Sequence, residues 1–299
     1  MKKYSLIILV GISIVLAACS TNSIGGNNGS KQAVTPKPAV NVAYAASLEN
    51  LFDNQISKGF TAQTGYKFRG YAGGSSLLAN EIESKDLKAD IFISAGTSVN
   101  SLVLNKAPIG IDYYIIFGSS PLVFGYTSNS KFYSQLKSKP WYKVVTEPGF
   151  RVGRTDPVLD PKGVLTVSLV KKEASLIGDP ALDSIVTGNG NVFPEQDLVG
   201  RLESGQLDGG FFYLAEAVDQ HILYQSMANL SNGAVYTVSI LTNSTNKQGA
   251  LAFMNYLLSS AAQKVFNANG IETPTSFAIT GNRADVSAST LKIIASSKS

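Results

Sequence analysis

From residue 40 onward the chain alternates short apolar runs with stretches that are apolar on one helical face, and this constrains the fold more than any other feature. VNVAYA (40–45) reads as a strand. Ser47 to Phe60 follows, with Leu48, Leu51, Phe52 and Ile56 at helical spacing. YKFRGY (66–71) is strand-like, Ser75 to Lys85 helical, and ADIFISA (89–95) a buried strand. SPLVFGYT (120–127), FRVGR (150–154), GGFFYL (209–214) and VYTVSIL (235–241) are further strands. Helices are expected from Pro161 towards Lys171, from Pro194 to Leu202, and as one long helix from Lys247 to Phe266. Strand–helix alternation of this kind implies an α/β fold with mostly parallel sheets. No repeat of solenoid period is present.

The first 39 residues follow different rules. MKKYSLIILVGISIVLAAC has a basic start, an apolar run from Leu6 to Ala18 and small residues before Cys19. The run is too short for an ordinary membrane span and fits a secretory signal over residues 1–18. Leu16-Ala17-Ala18-Cys19 resembles a bacterial lipobox, which implies that Cys19 becomes a lipidated N-terminus after cleavage. Residues 19–39 continue as a polar, Gly-, Asn-, Ser- and Pro-containing tether. Cys19 is the only cysteine, so the sequence excludes an intramolecular disulfide and a cysteine-based metal site. The expected location is the outer face of the cytoplasmic membrane or the periplasm, with the domain held by acyl chains.

Charge narrows the choice of partner. Discounting the leader lysines Lys2 and Lys3 from the 25 basic residues leaves 23 against 21 acidic ones. No Lys/Arg cluster is interleaved with aromatics, so nucleic acid is not an expected partner.

Four helix starts carry polar groups. Ser47 follows a strand, and Ser75 follows Gly73-Gly74. Both suit helix N-capping, and both also suit anion binding, because a helix start offers free N–H groups and a partial positive charge. In open α/β sheets such starts lie where ligands bind. Asp160 before Pro161 has the pattern of an N-cap followed by proline at the first helical position. Glu195 falls in the first turn after Pro194, where a carboxylate complements the helix dipole. In TDPVLDPKG (155–163), Asp156 is assigned to turn chemistry.

NVAYAASLENLFDNQISKGFTAQTG and YAGGSSLLANEIESKDLKADIFISA resemble the front half of molybdate- and tungstate-binding proteins of ABC importers. VGRTDPVLDPKG and LESGQLDGGFFYLAEAVDQH resemble the back half of their tungstate/molybdate branch, and the match spans roughly residues 40–275. The resemblance implies a type II periplasmic-binding-protein fold: two α/β lobes, two hinge crossings and a ligand clamped between them. The crossings are placed near Ser119–Val123 and Val235–Ile240. Lobe one then comprises 40–119 plus 240–299, and lobe two 120–239. Ser47 and Ser75 match the family's oxyanion-holding serines, with Ser76 a close rival to Ser75. Tyr213 matches a site tyrosine. Asp160 and Glu195 match carboxylates that coordinate the Mo or W centre itself, with Asp197 an alternative to Glu195.

A carboxylate beside a dianion is repelled unless its oxygen binds an electron-poor metal centre, and hard oxygen suits hard Mo(VI) or W(VI). Sulfate and phosphate offer no such centre, so the carboxylates select against them. The family motif continues with Cys and an aromatic–basic pair where this chain has Lys162-Gly163-Val164-Leu165. Lys162 could supply a positive charge at the pocket rim, but is expected to point to water, as lysines usually do. The implied protein is a monomeric, non-enzymatic receptor without a cofactor, delivering molybdate or tungstate to an ABC permease.

Other readings use the same fold class. A ferric-iron receptor would prefer Tyr, His and carboxylates together. Tyr113-Tyr114 lie before the first crossing, and His221, the only histidine, reads as a surface or packing residue. A sulfate- or phosphate-type receptor keeps the serines but leaves the carboxylates unexplained. A hydrolase lacks a base for either serine, although Asp160 and Glu195 could imitate a glycosidase pair.

Overall fold

The computed structural model describes residues 37–103, 106, 109–227 and 232–297. The expected leader, Cys19 as the expected lipidation site and most of the expected tether lie outside the described residues. Among the described residues, nine strands form one continuous sheet: β1 (Ala39–Ala45), β2 (Lys67–Gly73), β3 (Ile91–Ser94), β4 (Tyr113–Tyr126), β5 (Val152–Gly153), β6 (Gly209–Tyr213), β7 (Leu223–Ser226), β8 (Gly233–Ile240) and β9 (Ala278–Gly281). The order is β2-β1-β3-β8-β4-β6-β5, with β7 and β9 also paired to β4.

The α/β expectation holds, but the sheet is mixed where mostly parallel pairing was expected. β1 pairs in parallel with β2 and β3, and β5 with β6. All pairings of β4 and β8 are antiparallel. The reason is β4. Fourteen residues long, it pairs through Tyr113–Pro121 with β8 and β9, and through Leu122–Tyr126 with β6 and β7. A strand that belongs to two sheet regions meets partners returning from both. Its first half, the apolar run YYIIFG, lies outside the strands expected from the sequence.

Helices cover the sheet and bury its faces. Residues 46–64 form one helical stretch that opens with a 3-10 turn at Ala46–Leu48 and contains a π-helical turn at Phe52–Ile56. Phe52 stacks on Tyr44 of β1 at 5.1 Å between ring centroids and packs against Phe253 and Phe266. In the other half Phe124 stacks on Trp141 at 5.2 Å and meets Phe211 edge-on. Aromatic groups of this size dominate core burial. The expected long C-terminal helix is two helices, Lys247–Leu257 and Ser260–Ala268. The Ser259 side chain accepts from Ala262 N–H and restarts the helix there. The helix from Pro161 runs on to Ile177, where Gly178 ends it in the left-handed region.

Asp208 ties three segments together just before β6. Its carboxylate, 1 % exposed, accepts from Ser130 Oγ at 2.7 Å and from the Arg151 backbone N–H, Nε and Nη2 at 2.9–3.0 Å. Burial pushes this carboxyl up, but the Arg151 and Ser130 bonds outweigh it and hold the pKa below the ordinary value. The ionised form is therefore favoured in the folded state. Its stabilisation is present above the unfolded carboxylate pKa and is lost as pH falls through the depressed folded value. Asp208→Ala should cost about 2–3 kcal/mol in urea unfolding at pH 7, and the difference from the unmodified protein should shrink below about pH 4.

Candidate functional site

Four chain segments end at one cleft. The first is the turn after β1. Ser47 lies in the 3-10 turn and is 7 % exposed; its side chain caps nothing, and its Oγ accepts from the Tyr236 hydroxyl at 3.4 Å. The second is the start of the helix Ser75–Ser84, where Gly74 occupies the N-cap position. Ser75 is fully buried, and its Oγ accepts from Ala95 N–H at 3.1 Å. Neither serine is a capping residue, contrary to the simpler expectation. Accepting one bond leaves each hydroxyl hydrogen free to donate. Ser76 is only half-buried.

The third segment carries TDPVLDPKG. Asp156 is turn chemistry as expected: its Oδ1 accepts from Val158 N–H at 2.7 Å, and its carbonyl accepts from Asp160 N–H at 2.9 Å. Asp160 caps the helix Pro161–Ile177, its Oδ1 accepting from Lys162 N–H at 2.8 Å. The closing Gly163 is required by contact: a Cβ there would stand 2.5 Å from the Asp156 carbonyl carbon. The fourth segment is the helix Glu195–Glu203, with Glu195 buried in its first turn. Asp197 is about half-exposed and pairs with Arg201 at 3.7 Å, so Glu195 is the inward carboxylate of the two. Tyr213, fully buried, ends β6.

The segments touch across the cleft. Leu77 N–H, in the helix behind Ser75, donates to the Leu159 carbonyl at 3.2 Å. A Cβ on Gly74 would stand 2.6 Å from that carbonyl oxygen and 3.4 Å from Asp160 Cβ, so only glycine permits this approach. Asp160, Glu195 and Gly74 line a cavity of about 200 Å³, while Ser47, Glu195 and Glu216 line a neighbouring one of about 290 Å³. Glu195 is common to both.

Lys162 overturns its sequence expectation. It does not point to water: it is 0 % exposed. Its Nζ lies 2.8 and 2.9 Å from the two oxygens of Glu216 and 3.1 Å from Glu195 Oε1. The ammonium also sits 5.5 Å from the Tyr213 ring centroid and 5.8 Å from that of Phe212. A lysine is buried when its charge is matched; Glu216 supplies the matching charge here, with Glu195 alongside. Glu216 in turn accepts from Tyr213 N–H at 2.8 Å, reaching back from the third position of the helix Leu214–Asp219.

Sequence reasoning missed Lys162, Glu216 and Tyr236. The signal for Glu216 was its place three residues after Tyr213, the spacing of a reciprocal cap. Tyr236, fully buried in β8, sets its ring edge-on to Tyr213 with centroids 6.2 Å apart. His221 lies exposed just past the end of the helix Leu214–Asp219. Tyr113 is a core residue whose hydroxyl meets Met254 Sδ.

The electrostatics are those of buried acidic groups around one lysine. Burial, followed by the neighbouring Asp160 charge, pushes Glu195 up to about 8 despite Lys162. Burial likewise raises Asp160 against the pull of Lys162. Burial alone would lower Lys162, but Glu195, Glu216 and Asp160 together raise it. Burial holds the Tyr213 and Tyr236 hydroxyls far above their ordinary range. Asp160 Oδ2, both Glu195 oxygens and the Tyr213 hydroxyl are buried without a hydrogen-bond partner, Glu195 Oε1 meeting Lys162 as an ion pair only. Buried polar groups are seldom left so, and four such atoms on three facing residues mark a place built for a polar guest. Among the described residues, no cluster of three or more His, Cys, Asp or Glu is arranged to hold a metal ion.

Comparison with known proteins places the chain in a family. A family model described as bacterial extracellular solute-binding protein matches residues 40–272. The molybdate/tungstate-binding protein of Thermococcus kodakarensis is 25% identical, over 90% of this chain and 91% of its own. The periplasmic molybdate-binding protein of Azotobacter vinelandii superposes with a TM-score of 0.61 at 19% identity, covering 79% of this chain and 99% of that one. The sulfate-binding protein of Mycobacterium tuberculosis superposes at 0.57 with 18% identity, over 79% and 87%. These structural likenesses establish the periplasmic-binding-protein fold.

The raised Glu195 pKa makes a prediction about the ligand-free protein. Folded Glu195 keeps its proton up to about pH 8, whereas the unfolded carboxyl releases it near 4.5. Across that window the native state binds more protons, so stability falls as pH rises. Glu195→Gln should remove this loss: its melting temperature, scanned from pH 5 to 9, should exceed that of the unmodified protein most at the alkaline end.

Proposed function

The chain belongs to the bacterial extracellular solute-binding protein family, and from that membership we propose a receptor that captures molybdate or tungstate outside the cytoplasm and delivers it to an ABC importer. The single observation that carries the choice of ligand is the pair of buried carboxylates, Asp160 and Glu195, whose oxygens other than Asp160 Oδ1 lack hydrogen-bond partners. A receptor for an inert tetrahedral dianion gains nothing from them. An Mo(VI) or W(VI) centre can accept their oxygens as ligands. The relative from Thermococcus kodakarensis, named for both metalates, supports this reading.

Ser47 and Ser75 donate their hydroxyls to oxo groups, helped by the backbone N–H groups of the turns that carry them. The Tyr213 hydroxyl, with an ordinary neutral proton at working pH, donates a third. Asp160 and Glu195 close on the metal centre from the opposite side. Capture is a hinge motion in which β4, the strand shared by both sheet regions, joins the two lobes: 40–119 with 240–299, and 120–239. Catalysis plays no part. The protein works as a monomer, and Cys19 carries the lipid that keeps it near its permease.

Isothermal titration with tungstate, molybdate, sulfate and ferric citrate tests the reading. Both metalates should bind and raise the melting temperature, by the equivalent of about 2.7 kcal/mol at a hundredfold excess over Kd. Sulfate and ferric citrate should do neither. Asp160→Ala and Glu195→Ala should each weaken tungstate at least about tenfold, or 1.4 kcal/mol. Ser47→Ala, which removes one neutral hydrogen bond, should cost roughly fivefold. Equal and negligible losses from both carboxylate variants would remove the coordination reading. Cys19→Ser should release the mature domain from membranes into the soluble fraction on cell fractionation; retention in the membrane fraction would remove the lipid anchor.

A further inference from the structure

We infer that Lys162 is the positioning residue of the cleft: it holds one oxygen of Asp160 with its backbone N–H and one oxygen of Glu195 with its ammonium, and so presents the second oxygen of each to the guest. The inference rests on the metalate reading above and deepens it.

The geometry divides the four carboxylate oxygens into two kinds. Asp160 Oδ1 is 2.8 Å from Lys162 N. Glu195 Oε1 is 3.1 Å from Lys162 Nζ. Asp160 Oδ2 and Glu195 Oε2 are buried without a hydrogen-bond partner, the Thr155 hydroxyl lying near the Asp160 carboxyl. A single residue therefore fixes the aim of two side chains that come from different helices. Lys162 can do so because it is itself immobilised. Pro161 sets the first helical position before it. Glu216 binds the ammonium through both oxygens and is fixed in turn by Tyr213 N–H. The rings of Phe212 and Tyr213 face the charge. The ammonium leans on Glu216 more closely than on Glu195, so Glu195 is guided without being used up.

This has a consequence for selectivity. Tungstate and sulfate carry the same charge. If Lys162 served only as a nearby cation, removing it would weaken both anions alike. If its ammonium aims Glu195, removing it withdraws that ligand from tungsten and nothing comparable from sulfate, since only the metal centre accepts it.

The test uses the mature protein and two variants. Lys162→Met removes the ammonium and keeps the backbone N–H. Lys162→Met with Glu216→Gln removes the closest buried charge pair together, so that Glu216 is not left buried and unpaired if the single change fails to fold. Two quantities are read: the ratio of tungstate to sulfate affinity by competition, and the number of oxygens around bound tungsten by X-ray absorption. The expected result is a ratio narrowed at least tenfold and a coordination number that drops from six in the unmodified protein. Combined with Glu195→Gln, Lys162→Met should cost little more than Glu195→Gln alone, because one acts through the other. An unchanged ratio and coordination number in the variants would overturn the positioning role while leaving the receptor intact. Four oxygens around tungsten in the unmodified protein would overturn it as well. No binding of either metalate would overturn the parent reading and this one with it.

Discussion

A lysine ammonium sealed among carboxylates holds this cleft together. Lys162 and Glu216 are 54 residues apart in sequence, yet both are buried and joined at 2.8 Å. Either charge alone would be expelled or neutralised in such surroundings. Breaking a pair of this kind costs about 3–5 kcal/mol, because the remaining partner stays buried. The pair therefore fixes the helix from Pro161 against the end of β6, and Asp160, Glu195 and Tyr213 are all within reach of those two elements. Gly163 belongs to the same requirement, since the first turn of that helix lies directly on the Asp156 backbone.

The sheet explains why polar groups from distant segments meet. β1 and β2 run parallel, as do β5 and β6, so the chain leaves their carboxyl ends in similar directions. Ser47 follows β1, Ser75 follows β2 and Tyr213 ends β6, while Asp160 follows β5 after a short turn. Ligands bind outside the carboxyl ends of strands in open α/β sheets for this reason. β4 then connects the two groups of strands by belonging to both. The sheet is continuous, but the cleft has two sides, and a contact such as Leu77 N–H to the Leu159 carbonyl spans it.

Much of this was legible. The alternation of runs revealed most of the strands that carry the site, because buried strands are apolar and short. Asp160 before Pro161 read correctly as a cap, since that chemistry is local. Glu195 and Asp197 were inseparable by sequence; two positions along a helix turn about 200°, so the structure could bury one and expose the other. Pairing direction was misread because β4 extends through an apolar stretch with no punctuation, and nothing local says that a strand serves two partners. Lys162 failed for a more instructive reason. Its environment is made largely by residues more than thirty positions away, and the rule that lysines seek water holds only when no buried carboxylate waits for them.

Charge decides what such a cleft can admit. Asp160, Glu195 and Glu216 against Lys162 would present a net negative surface to a dianion if every group were ionised. Burial prevents that: Asp160 and Glu195 are both pushed towards their protonated forms. The cleft can then receive an anion without full repulsion, using serine and tyrosine hydroxyls and turn N–H groups that are already in place. Whether the anion stays depends on its central atom. An inert tetrahedral anion finds two carboxyl groups that must keep their protons for it to remain. In the receptor proposed above, a metalate gains bonds from the same oxygens once they ionise, and the proton passes to an oxo group or to solvent. In that proposal the acidic residues act as a filter on the chemistry of the central atom. Size and charge, which tungstate shares in part with sulfate, would not provide one.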